Sequence, residues 1–89
     1  MELSTEAVTD ARARLRRAAG QVLAVERMLA EGKECREFIP QLSAANKAIE
    51  QAGLRLLAAG YAWCLEHPEE AKAGGYPQEV MERMFMKLG

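Results

Sequence analysis

The sequence predicts an all-α protein. Three observations carry the prediction. Apolar residues recur at alternating steps of three and four over two long stretches. Helix start and stop signals bracket those stretches. Glycine and proline, 7 and 3 in 89 residues, cluster only near residues 74–77.

The first element runs over residues 5–31. Val8, Ala11, Leu15, Ala18, Val22, Val25 and Leu29 form a heptad-like seam. Ser4 suits the N-cap, Glu6 lies in the first turn, and Gly32 reads as the stop. The second element covers residues 35–66 and ends before Pro68. Its seam is Phe38, Leu42, Ala45, Ile49, Ala52, Leu56, Ala59 and Trp63. A second stripe, Leu54, Leu57, Tyr61 and Cys64, widens the apolar surface enough to face more than one neighbour. Pro40 marks the first turn or a kink just after it. Gly53 and Gly60 each cost about 1 kcal/mol relative to alanine, yet the seam continues through both. Gly74-Gly75 reads as a linker. Pro77 opens a short third helix over residues 77–88, whose Met81, Met84, Phe85 and Leu88 read as core. The expected protomer is thus a single 89-residue domain of three helices.

Length then constrains assembly. A compact chain of this size has a radius of gyration of roughly 12 Å and a diameter of roughly 30 Å. A helix over residues 35–66 spans about 48 Å. Its apolar stripes need other copies to cover them, so at least a dimer of antiparallel hairpins is expected.

Formal charge is −1, but it is uneven. Residues 11–27 hold five arginines against one glutamate, and residues 66–70 hold three glutamates without Lys or Arg. A local basic patch can bind a phosphate backbone although the total charge is near zero, and a merely solvated helix face would carry the same arginines. The first twenty residues lack the apolar run of a secretion signal. No stretch approaches the ~20 apolar residues of a membrane span. A cytoplasmic location is expected. There two cysteines suit a metal site or redox switch better than a permanent staple, although buried inert thiols are the commoner case.

Cys35 and Cys64 lie 29 residues apart on the second helix, about 44 Å along its axis. A disulfide needs Cα atoms within about 7 Å. No shared site within one chain is therefore expected. The midpoint falls at Ile49 and Glu50. Two copies of the helix crossing there antiparallel bring Cys35 of one chain level with Cys64 of the other, giving two equivalent sites per dimer. A site across an interface can shift how subunits pack.

The run Arg14-Leu15-Arg16-Arg17-Ala18-Ala19-Gly20-Gln21-Val22, then Glu26-Arg27-Met28-Leu29, Cys35 and Gln41-Leu42-Ser43-Ala44-Ala45, resembles the CsoR/RcnR family of metal-, formaldehyde- and persulfide-responsive repressors. The likeness covers about residues 8–65. It implies a three-helix protomer, an antiparallel dimer, a dimer-of-dimers tetramer, and operator DNA that an inducer releases. It places Arg14, Arg17 and Gln21 on DNA-facing positions, and their offsets of three and four share one helix face. Lys47 falls where the family carries another basic residue. Arg12 and Arg16 lie beside this face and would add phosphate contacts with salt-dependent affinity. Leu23 departs from the pattern, which has arginine there.

The resemblance also narrows the signal. Copper sensors of the family use a Cys, a His four residues before a second Cys, and that Cys. Here Cys35 and Cys64 match, but the His position is Gly60, and the only histidine, His67, reads as a helix-end residue. Glu34 replaces the tyrosine frequent before the first cysteine. Two cysteines without that histidine are similar to the persulfide-sensing branch. Cys35, at a helix start beside Lys33 and Arg36, suits the attacking thiolate, and Cys64 the resolving one. Cu(I) on the same two thiolates is the alternative. Nickel or cobalt wants more nitrogen ligands, and the formaldehyde branch carries an N-terminal proline where Glu2 stands. A different class remains: a helical interaction module with inert cysteines and no DNA role. An enzyme is not expected, because no triad, phosphate loop or paired carboxylates are present.

Overall fold

The computed structural model describes residues 1–88. It contains four helices in the order α1 (Thr5–Ala30), α2 (Cys35–Glu66), α3 (Pro68–Ala73) and α4 (Gln78–Leu88), and no strand among the described residues. The all-α class is as expected, with one helix more. Pro68, at the first position of α3, starts a short helix in a stretch to which the sequence reading assigned no element.

Local signals account for the two long helices. The Ser4 side chain accepts the Ala7 N–H at 3.2 Å, capping α1. At the other end Gly32 has φ +71°, and Gly32 and Lys33 donate to the Leu29 and Met28 carbonyls at 3.1 and 3.0 Å. That pattern is a Schellman stop, and only glycine takes this φ without strain. Glu34 is the N-cap of α2, and its N–H donates to the Glu37 carboxylate at 3.1 Å. Pro40 lies in the second turn, and the helix passes through it without a break.

The α1–α2 hairpin packs through small side chains. Ala11, Ala18 and Val25 of α1 and Ala45, Ala52 and Gly60 of α2 are buried. Such small residues allow close approach of the two axes. The other seam residues behave differently. Val8, Leu15, Val22 and Leu29 on α1, with Leu42 and Ile49 on α2, stay exposed. One protomer thus buries the small residues of each predicted seam, leaves most of the larger ones of α1 in water, and covers Phe38, Leu56 and Trp63 of α2 only in part.

The shape agrees. The radius of gyration is 16.9 Å and the extents are 55 × 25 × 14 Å, well beyond the roughly 12 Å of a compact chain. The accessible surface is 6640 Å²; a folded monomer of this mass exposes roughly 5,200 Å².

α4 returns along α2 and explains the two glycines that sequence reasoning counted only as a cost. A Cβ on Gly53 would lie 2.6 Å from Leu88 Cδ1, and one on Gly60 would lie 3.2 Å from Met81 Cε. The seven-residue spacing of the glycines matches that of Met81 and Leu88. The bare backbone there is a seat for α4. Met81 is 1% exposed and is the largest fully buried side chain among the described residues.

Candidate thiol switch and basic face

Cys35 is the first residue of α2 and is exposed; Cys64 lies in its last turn and is partly covered; both are free. Both lie, 29 positions apart, in one unbroken helix, which keeps the thiols about 44 Å apart at the standard rise. Within one chain they do not meet, as expected. Among the described residues no group of three His, Cys, Asp or Glu side chains gathers into a metal-binding cluster.

The two thiols have different surroundings. Cys35 stands at the helix N-terminus, where the partial positive charge favours an anion. Its cations, Lys33 and Arg36, are matched by Glu34 and Glu37, with the Glu37 carboxylate folded back onto the Glu34 N–H. Cys64 opens into a cavity of about 360 Å³ between α2, α3 and α4, lined also by Tyr61, Lys72, Tyr76 and Met81. The Trp63 ring stacks on His67 with centroids 4.9 Å apart. His67 Nδ1 lies 3.1 Å from the Trp63 carbonyl. His67 thus sits at the junction of α2 and α3, the helix-end role its position suggested.

On α1, Arg12, Arg16 and Arg17 are exposed, as is Lys47 on α2. Arg14 is not free. Its Nε donates to Asp10 Oδ2 at 3.0 Å and its Nη1 to Gln51 Oε1 at 3.1 Å, while Arg55 approaches Asp10 at 3.8 Å. This cluster sets the antiparallel register: residues 14 and 51 are level, so Lys47 lies level with Ala18, beside the Arg17 turn. Gln21 is half-buried, and its Oε1 is enclosed without a hydrogen-bond partner. Leu23 is 62% exposed, so the departure at that position removes a surface charge and nothing structural.

Sequence reasoning missed Asp10, Gln51, Arg55 and the cavity. The Asp10–Arg14 pair was legible as an i,i+4 spacing. Gln51 and Arg55 require the hairpin register, and the cavity requires α3 and α4 to fold back.

An elongated helical hairpin with a basic α1 surface, an uncovered apolar face and a thiol at each end of one helix defines an all-helical regulatory protomer. The chain matches the family model of metal-sensitive transcriptional repressors over residues 7–87, nearly its whole length, and belongs to that family. The family is one of repressors and not of enzymes. Comparison with curated proteins and with solved structures finds no match. No helix among the described residues is long and apolar enough to cross a membrane.

Proposed function

We propose that the chain is a DNA-binding repressor, active as a homo-oligomer, that leaves its operator when Cys35 of one subunit and Cys64 of another are joined. One observation carries this reading: an unbroken α2 holds two free thiols at opposite ends while α1 and α2 leave an apolar face uncovered. The surface in excess of a compact monomer, roughly 1,400 Å² per protomer, is more than the roughly 800 Å² that each partner buries in a standard interface. An antiparallel partner would cover that face and bring Cys35 level with Cys64. The same argument, repeated on a second face, supports a dimer of dimers.

The inducer this arrangement suits best is a persulfide or polysulfide. The Cys35 thiolate attacks the terminal sulfur of RSSH, forming Cys35–S–SH and releasing RS⁻. The partner's Cys64 thiolate then attacks the Cys35 sulfur and expels HS⁻. Two thiolates are oxidised to a disulfide, and one sulfane sulfur is reduced to sulfide. The exposure of Cys35 and the partial cover of Cys64 favour this order. Cu(I) on the same two thiolates is a second reading, favoured by the family's metal sensitivity.

For DNA, Arg17 and Lys47 offer free cations beside Arg14, while Arg12 and Arg16, roughly 100–160° round α1 from Arg14 and Arg17, offer theirs on a separate side. Arg14 would exchange Asp10 and Gln51 for a phosphate. Gln21 would swing its enclosed amide outward, and its orphaned oxygen makes the inward position a poor one to keep. The test is an electrophoretic mobility shift with the protein's own promoter fragment across a salt series. Reduced protein should bind, and polysulfide should release it. Arg17→Ala should lower the slope of log affinity against log salt by about 1. No shift with any arm would leave the helical interaction module as the better reading.

A further inference from the structure

An acid stands among the cations of the basic face. Asp10, Arg14, Arg17 and Gln21 follow steps of four, three and four and share one face of α1. Lys47, Gln51 and Arg55 follow steps of four on α2. The hairpin register sets these two rows side by side. Arg14 Nη1 donates to Gln51 Oε1 at 3.1 Å, and Arg55 Nε lies 3.8 Å from Asp10 Oδ2, so residue 14 is level with 51 and residue 10 with 55. Arg55 thus extends the stripe that Arg17, Lys47 and Arg14 begin, and its side chain is 59% exposed. Asp10 is the one acid in the two rows. Its Oδ2 stands between two guanidinium groups, 3.0 Å from Arg14 Nε and 3.8 Å from Arg55 Nε. An oxygen anion between paired arginines is the arrangement by which a phosphate is held. Here a carboxylate of the chain itself takes that place, and the three side chains carry one net positive charge instead of two. Asp10 is 42% exposed, and ion pairs so open to water add little to the stability of a fold.

We propose that Arg14 and Arg55 form a phosphodiester site across the α1–α2 hairpin, and that Asp10 occupies it as an internal competitor that weakens DNA binding. The inference rests on the repressor reading above and adds two residues to it. A backbone phosphate displaces the carboxylate from between the guanidiniums. Asp10 stays tethered one turn from Arg14, so its charge still opposes the strand. The cluster then neutralises one phosphate where two arginines alone would neutralise two. A ceiling on operator affinity lowers the free energy that an inducer has to supply to release the DNA.

The test is the affinity of reduced, full-length protein for its own promoter fragment across a salt series. Asp10→Asn should bind roughly tenfold more tightly at about 0.1 M salt, and its slope of log affinity against log salt should steepen by about 0.9, the value of one further phosphate. Arg55→Gln should make the slope shallower by about as much. The double variant should return to the parent slope. Asp10→Glu keeps the charge and should stay near the parent. Glu69→Gln, which removes an exposed acid on α3, should do the same. Asp10→Asn binding no more tightly than the parent, or no more tightly than Glu69→Gln, overturns the competitor. An unchanged slope for Arg55→Gln overturns the phosphate site. Either result, with the parent still binding, leaves the repressor reading intact. A reduced parent that shifts no promoter fragment overturns that reading, and the inference with it.

Discussion

The two ends of α2 carry the same functional group in opposite settings. At the Cys35 end the chain makes a bare loop turn, and the thiol, its cations and its acids all face solvent. At the Cys64 end the N-terminal segment, α3 and α4 gather over the helix and cover the thiol in part. One end is open and charged; the other is closed and rich in sulfur and aromatic rings. Both can react, but only the second can tune reactivity by packing. The lesson is that α3 and α4, packed on one end of α2 only, make the two cysteines inequivalent.

Substitutions at the closed end should produce the largest effects. Met81→Ala removes the largest fully buried side chain and should cost about 2–5 kcal/mol. Urea unfolding at fixed protein concentration would measure it. The same variant should bring the alkylation rate of Cys64 up toward that of Cys35, followed by mass spectrometry of the labelled peptides; an unchanged ratio of rates would mean that α4 does not guard Cys64. Gly60→Val crowds Met1 and Met81 and should destabilise by about 1–3 kcal/mol. Gly20→Ala is its contrast. It has no atom within 4 Å of an added Cβ and should stabilise α1 by about 0.5–1 kcal/mol, so equal signs for the two glycine variants in one unfolding series would refute the α4 seat. The smallest effect belongs to the open end. Glu37→Ala loses one exposed hydrogen bond to the Glu34 N–H and should cost about 0.5 kcal/mol. It also leaves Lys33 and Arg36 less balanced, so Cys35 alkylation at neutral pH should quicken.

Much of this was legible in the residues themselves. Ser4, Gly32 and the seam spacing located α1 and α2 to within a residue, because capping and periodicity are local properties. The separation of Cys35 from Cys64 followed from helix rise alone. Other features depended on partners distant in sequence. The seam pattern did not tell which half would be buried in the hairpin, since alanines and leucines satisfy the same period; only close approach of two helices selects Ala11, Ala18, Ala45 and Ala52. Gly53 and Gly60 looked like defects until α4 was placed against them. Arg14, expected to face DNA, is also tied to Gln51 across the hairpin, and only the register reveals that. Pro68 reads equally well as the end of α2 and as the start of α3, and it serves as both.

The central claim is that thiols far apart in one chain become neighbours between chains. A mixture of Cys35→Ala and Cys64→Ala proteins tests it directly, because each mixed dimer then holds one complete pair and one empty one. After subunit exchange and polysulfide treatment, non-reducing electrophoresis should show a covalent dimer in the mixture and none in either variant alone. A covalent dimer in a single-cysteine variant, or none in the mixture, would contradict the antiparallel arrangement.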